Sequence, residues 1–499
     1  PTDLSHKGTA PCSAEVLKQE LTGFRLTSSP LAPEFVLHRM LAEMTDCRVI
    51  KERVHRQVYY LETREGSYFL KRSSLTRSKD RIRHFFLPRR RWAEWRNLHR
   101  LHAAGITAPS PVLRGENTGP HPKVFFLLTK AVHGDPLPTA VPSHASILGR
   151  YLAHLHACGV YHADLHPENI LIRPDNEPCL IDVQEVIVLP SIPRRLRIYN
   201  LGKFCSHMPL QLSSESWIGD FLREYNRSCR KPITEKELNL AAYRHQKRDY
   251  RSRTKRCFRN STEFAIVNAP QLRGCRRRDF HWGIRELKQA LEKGRIIKPE
   301  CVLAYEEVCI KIHKRRFLHQ DRCRASWRMS RALEVRGISV PRSLGYFVMQ
   351  RRSYFVSEFL LGSIPVNDYI SWVTDGKQKR RAVQKLALWL REIHDQNIWQ
   401  KDLKSSNVLC HNGNYFLVDL DGVQIRRISE DNKITNLAQL NASFGNNITL
   451  RDRLRFYYHY SSDTRLSRGQ RRNIYRKIWD ITKTKNTSVF GLDIDKLRP

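Results

Sequence analysis

No run in the 499 residues approaches the ~20 consecutive apolar residues that a membrane-spanning helix needs. The opening stretch, Pro1 to Ala10, carries no apolar signal-peptide core. A soluble or peripheral protein that stays in the cytosol is therefore expected. Paired cysteines are missing as well. The 12 cysteines run from Cys12 to Cys410 without one CxxC pair, and no histidine pair stands near one at zinc-finger spacing. Free thiols in a reducing compartment are expected, rather than a metal cluster or a disulfide framework. Acidic residues are scarce relative to basic ones: 49 Asp and Glu face 87 Lys and Arg, a formal net charge of +38. Both halves are basic, which excludes a neutral protein with a basic tail. Such a field draws a polyanion, whether nucleic acid, an anionic membrane face or a phosphorylated substrate. What is present excludes wholesale disorder, since 40% of residues are hydrophobic and 9% aromatic. The length suits two to four domains of roughly 100–200 residues.

The dominant pattern is an internal repeat. Tyr161-His-Ala-Asp-Leu-His-Pro-Glu-Asn-Ile-Leu-Ile172, then Leu180-Ile-Asp182, is matched by Trp399-Gln-Lys-Asp-Leu-Lys-Ser-Ser-Asn-Val-Leu-Cys410, then Leu417-Val-Asp419. Asp164 and Asp402 stand 238 positions apart, as do Asn169 and Asn407. Upstream, Trp95-Arg96 and Gly105-Ile106 return as Trp327-Arg328 and Gly337-Ile338; downstream, Asn200-Leu201 returns as Asn436-Leu437. A period this long lies far beyond solenoid repeats and implies two whole domains of related fold.

Each unit reads in the same order. A short strand ends in lysine, Tyr68–Lys71 or Val308–Lys311, and a helix follows, Trp92 to Ala104 or Ala325 to Arg336. Apolar runs Val124–Leu128 and Tyr354–Phe359 suit central strands. An amphipathic helix, Ala145 to Ala157 or Arg381 to Asp395, carries His156 or His394 near its end. The boundary is expected near 262, giving domains 50–262 and 263–499 after an unassigned extension 1–49. Arg244 to Arg259 holds eight basic residues and one acid, which fits a solvated helix face or linker better than a dedicated site.

Asp164, Asn169 and Asp182 form D-x4-N followed by a strand-borne Asp. Phosphoryl transfer needs such a set. One carboxylate, Asp164, orients an attacking hydroxyl and takes its proton. An amide oxygen and a second carboxylate, Asn169 and Asp182, are hard ligands for Mg²⁺. Lys71 would reach the phosphates of ATP, and Glu94 would hold Lys71. The second set is Asp402, Asn407, Asp419 and Lys311. Two positions after each base stand His166 and Lys404. A cation there stabilises charge on the transferring group, while a backbone-bonded loop histidine is the plainer reading of His166.

Taken together, these residues resemble the protein-kinase-like fold, and more narrowly the lipopolysaccharide kinase (Kdo/WaaP-type) family. The resemblance rests on Tyr68-Phe-Leu-Lys71, Arg90-Arg-Trp-Ala-Glu94-Trp-Arg-Asn-Leu98, Gly105-Ile-Thr-Ala-Pro109 and His162-Ala-Asp164, and on Gly337-Ile-Ser-Val-Pro341, Lys401-Asp402-Leu-Lys-Ser-Ser-Asn407 and Val418-Asp-Leu-Asp421. It implies an α+β architecture of two tandem protein-kinase-like domains, each with a small β-rich N-lobe and a mainly helical C-lobe. It implies ATP- and Mg²⁺-dependent phosphorylation of a sugar hydroxyl, on Kdo or heptose, in a lipid-linked saccharide at the cytosolic face of the inner membrane.

The sequence departs from ordinary protein kinases twice. Arg53 to Glu65 contains no glycine, so phosphate cover is left to ordinary backbone and the lysine, and no A-P-E segment follows Asp182 or Asp419. The second unit departs further. Ser326 stands where the first has Glu94, so Lys311 is expected to lack a carboxylate, and Gln400 stands where the first has His162. That unit is either a weakened kinase or a regulatory partner. His133-Gly134 and Glu358–Gly362 suit the hinge between lobes, or plain turns. Phe85-Phe-Leu-Pro-Arg-Arg-Arg-Trp92 mixes aromatics with cations and suits docking on an anionic membrane, or a solvated helix start. Two rival functions stay open: an atypical protein kinase, and a non-catalytic nucleic-acid-binding protein. The absence of a nucleic-acid motif weighs against the second.

Overall fold

Along Arg56–Thr63 and Gly66–Ser74, buried Tyr59, Leu61, Tyr68 and Leu70 alternate with more exposed neighbours, the period-two signature of a strand with one face covered. The computed structural model of the protein describes residues 24–34, 36–53, 56–74, 92–118, 124–137, 144–208, 215–299, 301–315, 319–444, 448–462 and 466–486. The chain divides into two compact units, Pro1–Lys247 and Arg248–Pro499. The division falls ahead of the expected 262, inside the helix Glu235–Lys255. That helix and the short turn Arg256–Phe258 carry the basic stretch, whose Arg244, Lys247, Arg248, Arg251, Lys255, Arg256 and Arg259 are exposed.

The first unit opens with a six-stranded antiparallel sheet in the order Phe24–Ser28, Pro111–Asn117, Val124–Lys130, Gly66–Ser74, Arg56–Thr63, Met44–Arg53. Both edge strands come wholly or largely from residues 24–49, the stretch left unassigned by sequence. Lys71 sits on an inner strand, with Val58 opposite on one side and Leu127 on the other. The helical part follows. Leu148, Leu152 and Leu155 form one buried face of the helix Ala145–Ala157 and pack with Leu201, Phe204, Phe221 and Tyr225 in a single core. Each such leucine contributes roughly 1.5–3 kcal/mol on leaving water. Between the two parts lie the three-stranded sheet Pro178–Leu180, Ile170–Ile172, Asp135–Pro136 and the pair Val186–Val188 with Val160–His162. These short strands pin both ends of the loop bearing Asp164 and Asn169.

The second unit repeats the order. Its sheet has seven antiparallel strands: Phe264–Ala269, Leu272–Arg277, Ser343–Met349, Arg352–Glu358, Val308–Lys314, Val302–Tyr305, Arg295–Lys298. Lys311 pairs with Val302 and Phe355, the places Val58 and Leu127 hold around Lys71. The three-stranded sheet Ile364–Pro365, Val408–His411, Asn414–Leu417 and the pair Ile398–Gln400 with Val423–Ile425 recur. Helices Gly376–Asp395, Glu430–Ser443 and Leu450–Ser461 carry its core, including Leu386, Leu390, Leu437 and Tyr460. The expected α+β plan holds in each unit. The helix expected over Ala145–Ala157 forms over those residues; the one expected from Ala325 starts earlier, at Arg322, because Asp321 caps it by accepting from the Arg324 N–H.

Candidate active site

In the first unit the loop carrying Asp164 is built from buried amides upward. Asn200 donates Nδ2–H to the His162 carbonyl (2.7 Å), which leaves its Oδ1 to accept from His156 Nε2 (3.1 Å). That fixes the tautomer: His156 Nδ1 accepts from the Tyr225 hydroxyl at 2.7 Å. Burial holds His156 neutral, its pKa lowered to about 4. His162 Nδ1 accepts the Asp164 N–H (3.1 Å), and Asn169 donates Nδ2–H to the Asp164 carbonyl (3.0 Å). The Asp164 carboxylate projects from this frame, 58% exposed. Lys203 donates to its Oδ1 at 2.6 Å and to the Ala163 carbonyl at 2.8 Å. His166 Nε2 lies 3.8 Å from Oδ2. Burial pushes the Asp164 carboxyl up, but the hydrogen bond and charge of Lys203, with His166 and His162, hold it below the usual range.

Opposite this loop, Lys71 Nζ is paired with Glu94 on the helix Ala93–Ala103. The Asn97 amide, one turn after Glu94, donates to the carbonyls of Val183 and Val186, 2.9 Å each, and ties that helix to the loop after Asp182. Asp182 adopts a left-handed backbone, φ 53° and ψ 52°, unusual for a residue with a Cβ. Such strain persists where the surroundings over-determine it, and it turns the carboxylate toward Lys71 and Arg56. Burial raises the Asp182 carboxyl, but these two cations outweigh it. Arg56 reaches Asp182 Oδ1 at 3.5 Å, Glu94 Oε2 at 3.8 Å and Gln184 Oε1 at 3.4 Å. It comes from the glycine-free stretch, so that stretch supplies a guanidinium as well as backbone.

The second unit keeps the buried frame. Asn436 donates to the Gln400 carbonyl (2.7 Å), and His394, with a pKa lowered by burial to about 4, meets Asn436 Oδ1 at 3.4 Å and the Tyr460 hydroxyl at 2.7 Å. Asn407 donates to the Asp402 carbonyl at 2.9 Å. Asp419 is left-handed too, φ 58° and ψ 56°. Gln400, at the position of His162, donates Nε2–H to the Asp419 carbonyl at 3.0 Å. Lys404 Nζ stands 3.1 Å from Asp402.

One expectation is overturned. Lys311 does not lack a carboxylate: it pairs with Asp419 and Asp421 at 2.5 Å each. Asp421, 7% exposed, is also held by Arg322 from the helix Arg322–Glu334. Burial opposes the Lys311 charge, but the two carboxylates win and raise its pKa; burial likewise raises Asp421, and Lys311 outweighs it. Ser326, at the position of Glu94, is buried with its hydroxyl unpartnered.

The structure therefore brings Lys71, Glu94 and Asp182 together, and Asp164, His166 and Asn169 together. It likewise joins Lys311 with Asp419, and Asp402 with Lys404 and Asn407. Arg56, Lys203, Asp421 and Arg322 were not singled out as site residues. Asp421 had a signal in Asp419-Leu-Asp421, and Lys203 stands three residues after the repeated Asn200, where the other unit has Gln439. Arg56 had none. His133 Nε2 lies 3.2 Å from the Ser67 hydroxyl. A Cβ on Gly134 would meet the Ile172 carbonyl at 2.6 Å, so that glycine lets two strands close. Of Phe85 to Trp92, only Trp92 lies within the described residues, with the Arg114 guanidinium 4.8 Å from its ring centre.

An amide oxygen and a carboxylate per unit suit a magnesium ion whose remaining ligands come from phosphates and water. Asn169 and Asn407 spend Nδ2 on the loop carbonyl, which leaves Oδ1 as the donor atom. Among the described residues, no group of three or more His, Cys, Asp and Glu is placed to hold a metal by itself. None of the described helices is long and apolar enough to cross a membrane.

A strand lysine, a looped Asp with Asn five residues on, and a strand-end Asp, held between a β-rich and a helical part, define a kinase-like phosphotransferase with a hydroxyl acceptor. The chain matches the model of the lipopolysaccharide kinase (Kdo/WaaP) family over residues 43–225 and 306–460, and it belongs to that family. Among solved structures, WaaP in complex with acyl carrier protein is 18% identical, with 45% of this chain and 98% of that one covered and a TM-score of 0.32. An aminoglycoside-3'-phosphotransferase of type VIII is 17% identical, covering 46% and 94%, TM-score 0.31. A spectinomycin phosphotransferase in complex with ADP and spectinomycin is 13% identical, covering 41% and 80%, TM-score 0.29. No curated protein matches the chain.

Proposed function

We propose that the chain transfers the γ-phosphate of ATP to a sugar hydroxyl of the lipopolysaccharide inner core, on Kdo or heptose. Asp164 is the base: it orients the acceptor hydroxyl and takes its proton as the oxygen attacks phosphorus, the bond to the β-phosphate breaks and ADP leaves with the electron pair. Lys71, steadied by Glu94, and Arg56 grip the phosphates. Asn169 and Asp182 would hold Mg²⁺, which neutralises phosphate charge when bound. His166 and Lys203 border the acceptor side. The lipid-linked substrate and the charge of +38 support work at an anionic membrane surface, the cytosolic face of the inner membrane.

The second unit, with Asp402, Lys404, Asn407, Asp419 and Lys311 in the corresponding places, is weakened or regulatory. The observation that carries this division is where each strand lysine points. Lys71 is held by a helix carboxylate, whereas Lys311 closes on Asp419 and Asp421 and occupies the carboxylate a metal would need.

The test is transfer of label from γ-labelled ATP with Mg²⁺ to purified inner-core lipopolysaccharide. Asp164→Ala is expected to abolish labelling of the saccharide; wild-type labelling by that variant would end the assignment.

A further inference from the structure

The two units bring a cation to the base from different elements. In the first, the close cation is Lys203 on the helix Arg194–Cys205, 2.6 Å from Asp164 Oδ1, while the loop residue His166 stays 3.8 Å from Oδ2. In the second, the loop residue is Lys404, 3.1 Å from Asp402 Oδ2. The helix position, three residues after the repeated Asn436, is there Gln439. Gln439 donates Nε2–H to the Lys401 carbonyl at 3.0 Å, as Lys203 does to the Ala163 carbonyl at 2.8 Å. The carbonyl bond is thus common to both units, and the contact to the carboxylate is what Lys203 adds. One lysine is present beside each base, and its origin has moved between helix and loop.

The backbone around the two loop positions is nearly the same. His166 has φ −149° and ψ 162°, Lys404 φ −131° and ψ 159°, and the N–H three residues on donates back to each carbonyl, at 3.0 and 2.9 Å. A lysine at 166 would therefore start from the geometry that already delivers Lys404 to Asp402.

We infer that Lys203 is the positioning residue of the first unit's base, taking there the part that Lys404 takes in the second. Occupying Oδ1, it holds the carboxylate in one rotamer and leaves the equivalent oxygen, Oδ2, for the acceptor hydroxyl, as Lys404 on Oδ2 leaves Oδ1 of Asp402. The proton passes to Oδ2 while Lys203 keeps its own. A lysine is suited to this because its compact charge sits on a stem long enough to cross from the helix to the loop. The inference rests on Asp164 being the base.

The test uses the full chain carrying Asp402→Ala, so that only the first unit reports, with γ-labelled ATP, Mg²⁺ and inner-core lipopolysaccharide. Lys203→Gln copies Gln439 and keeps the carbonyl bond, so folding is retained, with thermal melting as the check. It is expected to lower kcat about a hundredfold, the scale of a misplaced reacting group, with KM for ATP unchanged. Lys203→Gln combined with His166→Lys copies the second unit and is expected to recover much of kcat. A structural helix lysine would not be rescued from the loop. Wild-type kcat in Lys203→Gln, or a folded double variant no faster than the single one, overturns the inference. If the parent chain labels nothing, the kinase reading fails, and this inference with it.

Discussion

The two units share a buried skeleton and differ in how charge is placed upon it. His156, Asn200 and Tyr225 in one, and His394, Asn436 and Tyr460 in the other, make the same bonds under the same loop. Both strand-end aspartates keep a left-handed backbone. Around them the links are exchanged. The first unit ties its helix to the loop after Asp182 through the neutral amide of Asn97, freeing Glu94 for Lys71. The second has Met329 at the position of Asn97 and Ser326 at that of Glu94, and ties helix to loop through Arg322 and Asp421. Asp421 thereby becomes the lysine's partner. Buried neutral hydrogen bonds specify the loop's shape in both units, whereas partly exposed charges can be redistributed without changing that shape.

The strongest way to break this comparison is to remove each proposed base in turn. Asp164→Ala is expected to cost about 10³-fold in transfer to the saccharide, the usual range for a general base, and Asp402→Ala much less. Equal losses in a labelled-ATP assay would make the units equivalent catalysts. The next largest effect concerns stability. Asp421→Asn leaves Lys311 and Arg322 short of a charge partner and is expected to destabilise the second unit by about 3 kcal/mol in denaturant unfolding. Gln184→Ala, at the corresponding position of the first unit, should stay within about 0.5 kcal/mol in the same measurement.

Acid sensitivity is shared by both units. Burial lowers the pKa of His156 and of His394 to about 4, so the unfolded chain takes up these protons near pH 6.5 before the folded one does. Stability is full above pH 6.5 and falls as pH drops toward 4, by on the order of 3 kcal/mol per histidine. Melting temperature against pH reads this directly. The double variant His156→Gln, His394→Gln should melt lower at pH 7 with a flatter slope, and an unchanged slope would contradict the account. A smaller loss than that of the histidines is expected from Tyr225→Phe or Tyr460→Phe, each leaving one buried imidazole nitrogen unpaired at about 1–3 kcal/mol. Similar losses would sharpen the claim of a common skeleton.

Much of the site was legible because its spacing is local. The short loop from Asp164 to Asn169 folds on itself, so both residues and their repeat could be read together. The pairing of Lys71 with Glu94 was also expected. What could not be read were contacts across the fold. Arg56 meets Asp182 from 126 residues away, and Lys203 meets Asp164 from 39 away. The partner of Lys311 does not lie at the position of Glu94: a carboxylate on another element, Asp421, reaches the same ammonium.

By itself, the sequence determined that there are two units of one plan, in which strand lysine, looped Asp and Asn, and strand-end Asp recur in order. Hydrophobic period and short-range spacing are properties of the chain alone. The tertiary structure decided which charges meet: that Lys71 rests on Glu94, that Lys311 closes on Asp419 and Asp421, and that Lys203 rather than His166 touches Asp164. Ion pairs form over a few ångströms in space, and only the packing of strands, helices and loops brings distant positions that close.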